Sequence, residues 1–175
     1  MFLTTHAAAG ILISHYVPGA WPVFGASFAS HFVLDFIPHG DEEFYHDQDW
    51  LVLKKYKRVV VINAIDLAGL LALTLWAVSR GTTVSGNLMV IGVLGSVLPD
   101  LISYFFPVIH ERFSWLFLLR WLYTLTKPTG IRYVARSQNW VHNVLHHRLI
   151  HKDIPLKVGL IMQTVLVAVM LGLSR

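Results

Sequence analysis

Residues 59–79 read VVVINAIDLAGLLALTLWAVS, an apolar run in which Asp66 is the only ionisable residue. A helix needs about 20 mainly apolar residues to cross the roughly 30 Å hydrocarbon core of a bilayer. This stretch meets that requirement and predicts a transmembrane helix. Residues 87–107 (NLMVIGVLGSVLPDLISYFFP) meet it as well, and residues 155–173 (PLKVGLIMQTVLVAVMLGL) very nearly do.

Weaker apolar segments lie before and between these three. Residues 20–38 (AWPVFGASFASHFVLDFIP) form a fourth candidate span, and residues 2–17 form a short span or a re-entrant helix. Residues 113–125 are too short and contain Arg120, which favours an interfacial helix. The sequence therefore predicts an all-α fold, namely a polytopic transmembrane helix bundle with four or five spans and a cytoplasmic interfacial helical segment. Residues 1–175 are expected to form a single integral membrane domain.

Composition and charge agree with a membrane protein. The chain is 55% hydrophobic and 14% charged, whereas soluble domains carry about 25% charged residues. Its Lys and Arg residues flank the apolar runs, concentrated in segments 54–58 and 112–157, so we interpret them as topology signals and expect no nucleic acid partner. By the positive-inside rule both segments are cytoplasmic, and the turn at 80–86 lies outside. The oligomeric state has no signal in the sequence.

Several ionisable residues fall inside the predicted spans. His31, Asp35, Asp66 and Asp100 all lie within about 11 Å of the predicted cytoplasmic face, at 1.5 Å per helical residue, and His6 joins them at similar depth. Each charge at membrane depth costs at least about 2.5–3.5 kcal/mol unless it meets a partner or a cation. We therefore expect these side chains to converge, although a single intramembrane Asp is often only a structural hydrogen-bonding residue.

The spacing of His and Asp predicts a metal site. His31, Asp35 and His39 follow at i, i+4 and i+8 on one helix face, with Asp41 just beyond, and a second group of His residues lies in HNVLHH at 142–147. Neighbouring imidazoles repel when protonated, and a metal would hold them neutral. The predicted catalytic residues are Asp35 and Asp66, and the predicted metal ligands are His6, His31, Asp35, His39, Asp41, Asp100, His142 and His146.

The chain has no Cys, so thiolate ligands are excluded. Imidazoles mixed with carboxylates suit a divalent metal, with Zn expected first and Mn or Fe as alternatives, and the number of carboxylates points to two ions. Such a site would activate water and polarise a phosphoryl or carbonyl oxygen. Its depth near the cytoplasmic headgroups suits a lipid or lipid-linked substrate, with membrane lipids as surroundings. A bacterial inner membrane is the expected location.

The stretch SHFVLDFIPHGD at 30–41, with THAAAG around His6 and LPD at 98–100, resembles the small bacterial membrane-bound metal-dependent hydrolases. The same stretch is similar to a motif of zinc-dependent phospholipase C and single-strand nuclease families. This resemblance implies a polynuclear zinc site and phosphoester hydrolysis, with His31, Asp35 and His39 as ligands and His6 and Asp100 matched more loosely. In place of the His-Arg-Gly and Thr-His-Ser features expected of the membrane hydrolases, this chain has HNVLHH.

Two other functions stay open. His-x-x-x-His-His in HNVLHH also matches the histidine boxes of membrane di-iron desaturases and hydroxylases, but those enzymes use about eight His ligands, and they would leave the intramembrane Asp residues without a purpose. A non-enzymatic transporter or an ion or proton relay is the third reading, favoured if no metal binds.

Overall fold

The computed structural model describes residues 1–40, 53–80, 84–111 and 154–174, with the isolated positions 124, 133, 137, 140 and 144; within these, the side chains of 53–59 and 103–111 are not described. The described elements are all helices, which confirms the all-α class for this part of the chain. They are α1 (Leu3–Tyr16), α2 (Ala20–Asp35), α3 (Leu53–Ser79), α4 (Gly86–Glu111) and α5 (Leu156–Leu173).

By its contacts the chain forms two compact units. The first comprises residues 1–97 and 152–175, and the second comprises residues 98–151. In the second unit the continuously described backbone is the C-terminal half of α4, which is helical as far as Glu111. The single-domain organisation expected from the sequence stays a prediction.

Helix α1 is the central element of the first unit and packs against α2, α3 and α5. Its run of small residues, Ala7–Gly10, is buried, because side chains of this size let neighbouring backbones come close. One example is the crossing of α1 and α4, where a Cβ atom on either Gly10 or Gly92 would overlap the backbone of the other residue. Ile11 and Met89 complete the core beside this crossing.

Glycines and prolines set the ends of α1 and α2. The two helices are joined at Pro18 and Gly19, and Gly19 has φ +89°, a conformation that residues with a Cβ rarely adopt. Helix α2 ends shortly before Pro38, and Gly40 again has positive φ (+76°). A Cβ on Gly40 would lie 2.8 Å from the carbonyl oxygen of Ile154, so this loop packs closely against the segment that leads into α5.

Two of the described helices are long and apolar enough to cross a membrane, over Val60–Ser79 and Leu156–Leu173. The apolar part of α4 is the shorter segment Gly86–Ile102, and α1 and α2 contain 14 and 16 residues. The described helices therefore support two possible spans, and the predicted four or five spans are not supported by them. The interfacial helix predicted over 113–125 lies outside the continuously described residues.

Candidate metal centre

The N-terminal end of α1 and the C-terminal end of α2 bring three ionisable side chains together. His31 and Asp35 share a face of α2 because they are one turn apart, and His6 reaches them from α1. The Nε2 atom of His6 lies 3.3 Å from Asp35 Oδ1, and the Nε2 atom of His31 lies 3.1 Å from Asp35 Oδ2. The two imidazole rings stack with their centroids 4.1 Å apart. All three side chains are at most 1% exposed.

The hydrogen bond of Nδ1 in His31 determines where the lone pair of its Nε2 atom points. His31 Nδ1 lies 2.9 Å from the carbonyl oxygen of Ser96. A carbonyl can only accept a hydrogen bond, so Nδ1 carries the proton and donates it. In neutral His31 the lone pair of Nε2 therefore faces Asp35 Oδ2, itself an acceptor. Two acceptors at 3.1 Å are stable only with a cation between them, either a proton or a metal ion.

His39 shows the same arrangement in the loop after α2. Its Nδ1 atom lies 2.6 Å from the carbonyl oxygen of Ile37, so this nitrogen is the donor and Nε2 is left with a lone pair. The amino group of Met1 lies 2.7 Å from that Nε2 and 3.2 Å from Asp35 Oδ1. A cationic group thus sits between His39 and Asp35. Metal-binding His residues commonly donate the second N–H to a backbone carbonyl in this way.

The spacing of these ligand atoms fits a metal ion. Two ligand atoms that are each about 2.1 Å from one ion, at angles between octahedral and tetrahedral, are about 3.0–3.4 Å apart. The separations of 3.3 Å from His6 to Asp35 Oδ1 and 3.1 Å from His31 to Asp35 Oδ2 lie in that range, which is also the range of a His–Asp ion pair. Asp100, one turn after Ser96 on α4, is also buried, and its role as a ligand stays a prediction. His6 and His31 belong to a buried group of His and Asp side chains that could hold a metal ion.

Asp66 lies in a different environment. Its Oδ2 atom accepts a hydrogen bond from the backbone N–H of Leu3 at 2.7 Å, and its Oδ1 atom accepts from the N–H and the hydroxyl of Thr4 at 3.0 and 2.7 Å. Phe2, at the N-cap position of α1, provides no side-chain cap. Asp66 therefore caps α1 from the neighbouring helix α3, which gives this carboxylate a structural reason to be buried. Its catalytic role stays a prediction.

Gln163 is a residue of this region that the sequence reasoning missed. It is 3% exposed on α5, and its Oε1 atom accepts from the Phe2 N–H at 2.8 Å and from the Thr5 hydroxyl at 3.2 Å, while its Nε2 atom donates to the carbonyl oxygen of His39 at 3.2 Å. It thus joins α5, α1 and the loop that carries His39. As a strong polar side chain within the apolar run 155–173, Gln163 carries a signal that a search for ionisable residues alone does not detect.

The other predicted ligands, Asp41, His142 and His146, lie outside the described residues. Among the predicted residues that are described, the structure brings His6, His31 and Asp35 together and places His39 next to the Met1 amino group beside Asp35. That any of them binds a metal stays a prediction.

Comparison with protein-family models, with curated proteins and with solved structures gave no match to this chain.

Proposed function

We propose that this chain is a membrane-embedded, metal-dependent hydrolase of the kind that its sequence resembles, acting on a phosphoester-containing or lipid-linked substrate. The observation that carries the proposal is the pair formed by His31 and Asp35. Because Nδ1 of His31 donates to the Ser96 carbonyl, its Nε2 lone pair is aimed at a carboxylate oxygen 3.1 Å away. That geometry needs either a proton or a metal ion between the two atoms, and His6 on the other oxygen of Asp35 supplies a further ligand atom for a metal.

The surface of the two long apolar helices supports a location in the membrane. Leu75 and Ile161 are each about two-thirds exposed, at 69% and 67%. Soluble monomers rarely expose contiguous apolar surface on this scale, so the outer faces of α3 and α5 are suited to lipid. The placement near the cytoplasmic face rests on the Lys and Arg distribution, and the bacterial inner membrane rests on the family resemblance; both belong to the same proposal.

In this proposal His6, His31 and Asp35 hold the ion, with Asp100 kept from the sequence as a further predicted ligand, and the Ser96 carbonyl fixes the orientation of His31. Three or four nitrogen and oxygen ligands without a thiolate suit Zn, and also Mn or Fe. Such an ion would polarise a phosphoryl oxygen and lower the pKa of a water molecule towards 7. Water would add to phosphorus, the bond from phosphorus to the ester oxygen would break, and a proton from the water would pass to that oxygen to give the leaving alcohol. A second ion would need ligands from among Asp41, His142 and His146.

The first experiment measures bound metal with a matched pair of variants. His6→Gln and His15→Gln make the same change on the same helix, but His6 contacts Asp35 whereas His15 lies at the opposite end of α1. Elemental analysis of detergent-purified protein should find Zn, Mn or Fe in the wild type and in His15→Gln. The metal should be lost in His6→Gln, with far-UV circular dichroism unchanged.

The second experiment separates the three function classes. With Zn or Mn added and oxygen excluded, the protein should hydrolyse bis(p-nitrophenyl) phosphate, and Asp35→Asn should abolish this turnover while leaving the protein folded, because an amide is a poorer ligand of nearly the same volume. Protein that holds iron alone and consumes dioxygen with a lipid would instead be a desaturase or hydroxylase. Protein without metal, whose proton lies between His31 and Asp35, would be a relay or transporter.

A further inference from the structure

A groove of about 430 Å³ lies in the first unit, between α3 and α5, with the start of α1 as its floor. Its walls are Ile62, Ile65 and Gly69 on α3, and Leu156, Leu160 and Val167 on α5, to which Phe2 adds an aromatic ring. Both walls belong to the two helices that are long and apolar enough to cross a membrane. The groove is therefore open on the surface that the proposed function places in lipid.

The polar side chains of the groove are already engaged within the protein. Asp66 accepts from Leu3 and Thr4, and Gln163 uses both its oxygen and its nitrogen, as described above. The hydroxyl of Thr5 donates to Gln163, and that of Thr164 donates to the Leu160 carbonyl of its own helix. A bound molecule that needs hydrogen bonds would have to break these contacts.

The described lining of the groove also disfavours a lipid headgroup. Among the side chains that the structure describes, Asp66 is the only charged one that lines the groove, so a phosphate placed beside it would be repelled by its carboxylate. A hydrocarbon chain needs neither hydrogen-bonding partners nor a cation. It needs only apolar contact, which the aliphatic walls provide.

The groove is next to the candidate metal centre. Thr5, on its floor, directly precedes His6, and Phe2 directly follows Met1, whose amino group contacts Asp35. Gln163, at the boundary, donates to the carbonyl of His39. A chain lying in the groove would thus end beside the residues proposed to hold the metal.

We infer that this groove binds a hydrocarbon chain of the substrate, so that the substrate is an acyl or prenyl lipid whose phosphoester headgroup reaches the site at His6, His31 and Asp35. This inference rests on the proposed function for the identity of the headgroup chemistry. Inside a bilayer, a chain gains little from leaving other hydrocarbon, so the groove acts by shape and van der Waals contact. It therefore orients the substrate more than it tightens binding.

The test uses the full-length protein in nanodiscs of phosphatidylcholine and phosphatidylglycerol that contain a trace of phosphatidylcholine with a photoreactive diazirine on one acyl chain. After illumination, mass spectrometry maps the cross-linked residues. Labelling should concentrate on Ile62, Ile65 and Leu160, above the level found on the outer faces of α3 and α5. The groove is then blocked by Leu160→Trp, with Ile161→Trp as the matched control because Ile161 is 67% exposed and does not line the groove.

Leu160→Trp should reduce labelling of Ile62 and Ile65 to the level of the outer faces, and Ile161→Trp should leave it unchanged. Thr164→Trp, with Val165→Trp as its control, blocks the groove at a second position should Leu160→Trp not fold. Labelling spread evenly over all lipid-facing residues, or unaffected by both blocking variants, would overturn the inference. Because cross-linking needs no turnover, it is repeated on Asp35→Asn: preserved labelling there supports the groove even if the hydrolase proposal fails.

Discussion

Replacing Asp66 with Asn tests whether this carboxylate caps α1 or takes part in catalysis. Asn keeps one acceptor oxygen, but its NH₂ group would face either the Leu3 or the Thr4 backbone N–H, which now donate to Oδ2 and Oδ1 at 2.7 and 3.0 Å. One hydrogen bond to a charged group is lost and one buried donor is left unsatisfied, at about 1.5–3 kcal/mol. Loss of the negative charge at the helix N-terminus adds about 0.3–1 kcal/mol. We expect the free energy of unfolding to fall by about 2–4 kcal/mol.

The assay is unfolding in mixed micelles of SDS and dodecyl maltoside, followed by far-UV circular dichroism. Thr4→Val removes the hydroxyl that donates to the carboxylate and the backbone carbonyl of Asp66, keeps the backbone N–H bond, and should cost about 1 kcal/mol. Thr164→Val is the control, because its exposed hydroxyl bonds only within its own helix and its loss should change stability by less than about 0.5 kcal/mol. Metal content should be unchanged in all three variants.

The opposite pattern would refute the capping interpretation. If Asp66→Asn unfolds like the wild type but loses all phosphodiester hydrolysis, then Asp66 is catalytic, as the sequence predicts, and its hydrogen bonds to α1 contribute little to stability. If the variant loses its metal, Asp66 is coupled to the centre more directly than its contacts with Leu3 and Thr4 indicate.

Two further predictions concern helix packing and topology. Gly92→Val should destabilise the bundle by about 1–3 kcal/mol or more, because its side chain would overlap the backbone of Gly10. Gly172→Val is the control and should be nearly neutral, because a Cβ there meets no atom within 4 Å. Equal unfolding curves of the two variants in SDS would contradict the close crossing of α1 and α4. Cysteines introduced singly at Ser137 and Ser85 should react with a membrane-impermeant maleimide from opposite sides of the membrane. Ser137 lies in the basic segment 112–157, which is predicted to be cytoplasmic, and Ser85 lies in the turn predicted to be outside. Labelling from the same side would contradict the predicted topology.

The all-helical class and the two long apolar helices were predictable from the sequence because they depend on local composition. A run such as 59–79 has the same apolar character whatever its neighbours are, and the structure has a helix there. The shared face of His31 and Asp35 was predictable for a similar reason, because helix geometry alone brings positions i and i+4 together.

Only the tertiary structure decided which role each buried polar group has. Asp66 and Asp35 look alike in sequence, as single carboxylates in apolar runs, yet Asp66 meets backbone N–H groups at the start of α1 and Asp35 meets imidazoles. The tautomer of His31 depends on the Ser96 carbonyl, and backbone carbonyls have no sequence signature. The sequence determines which segments become helices and which face of each is polar, whereas the contacts between helices depend on how their surfaces pack. At Gly10 and Gly92 the missing side chains allow the backbones of α1 and α4 to touch, and such pairings join residues that are far apart in the chain.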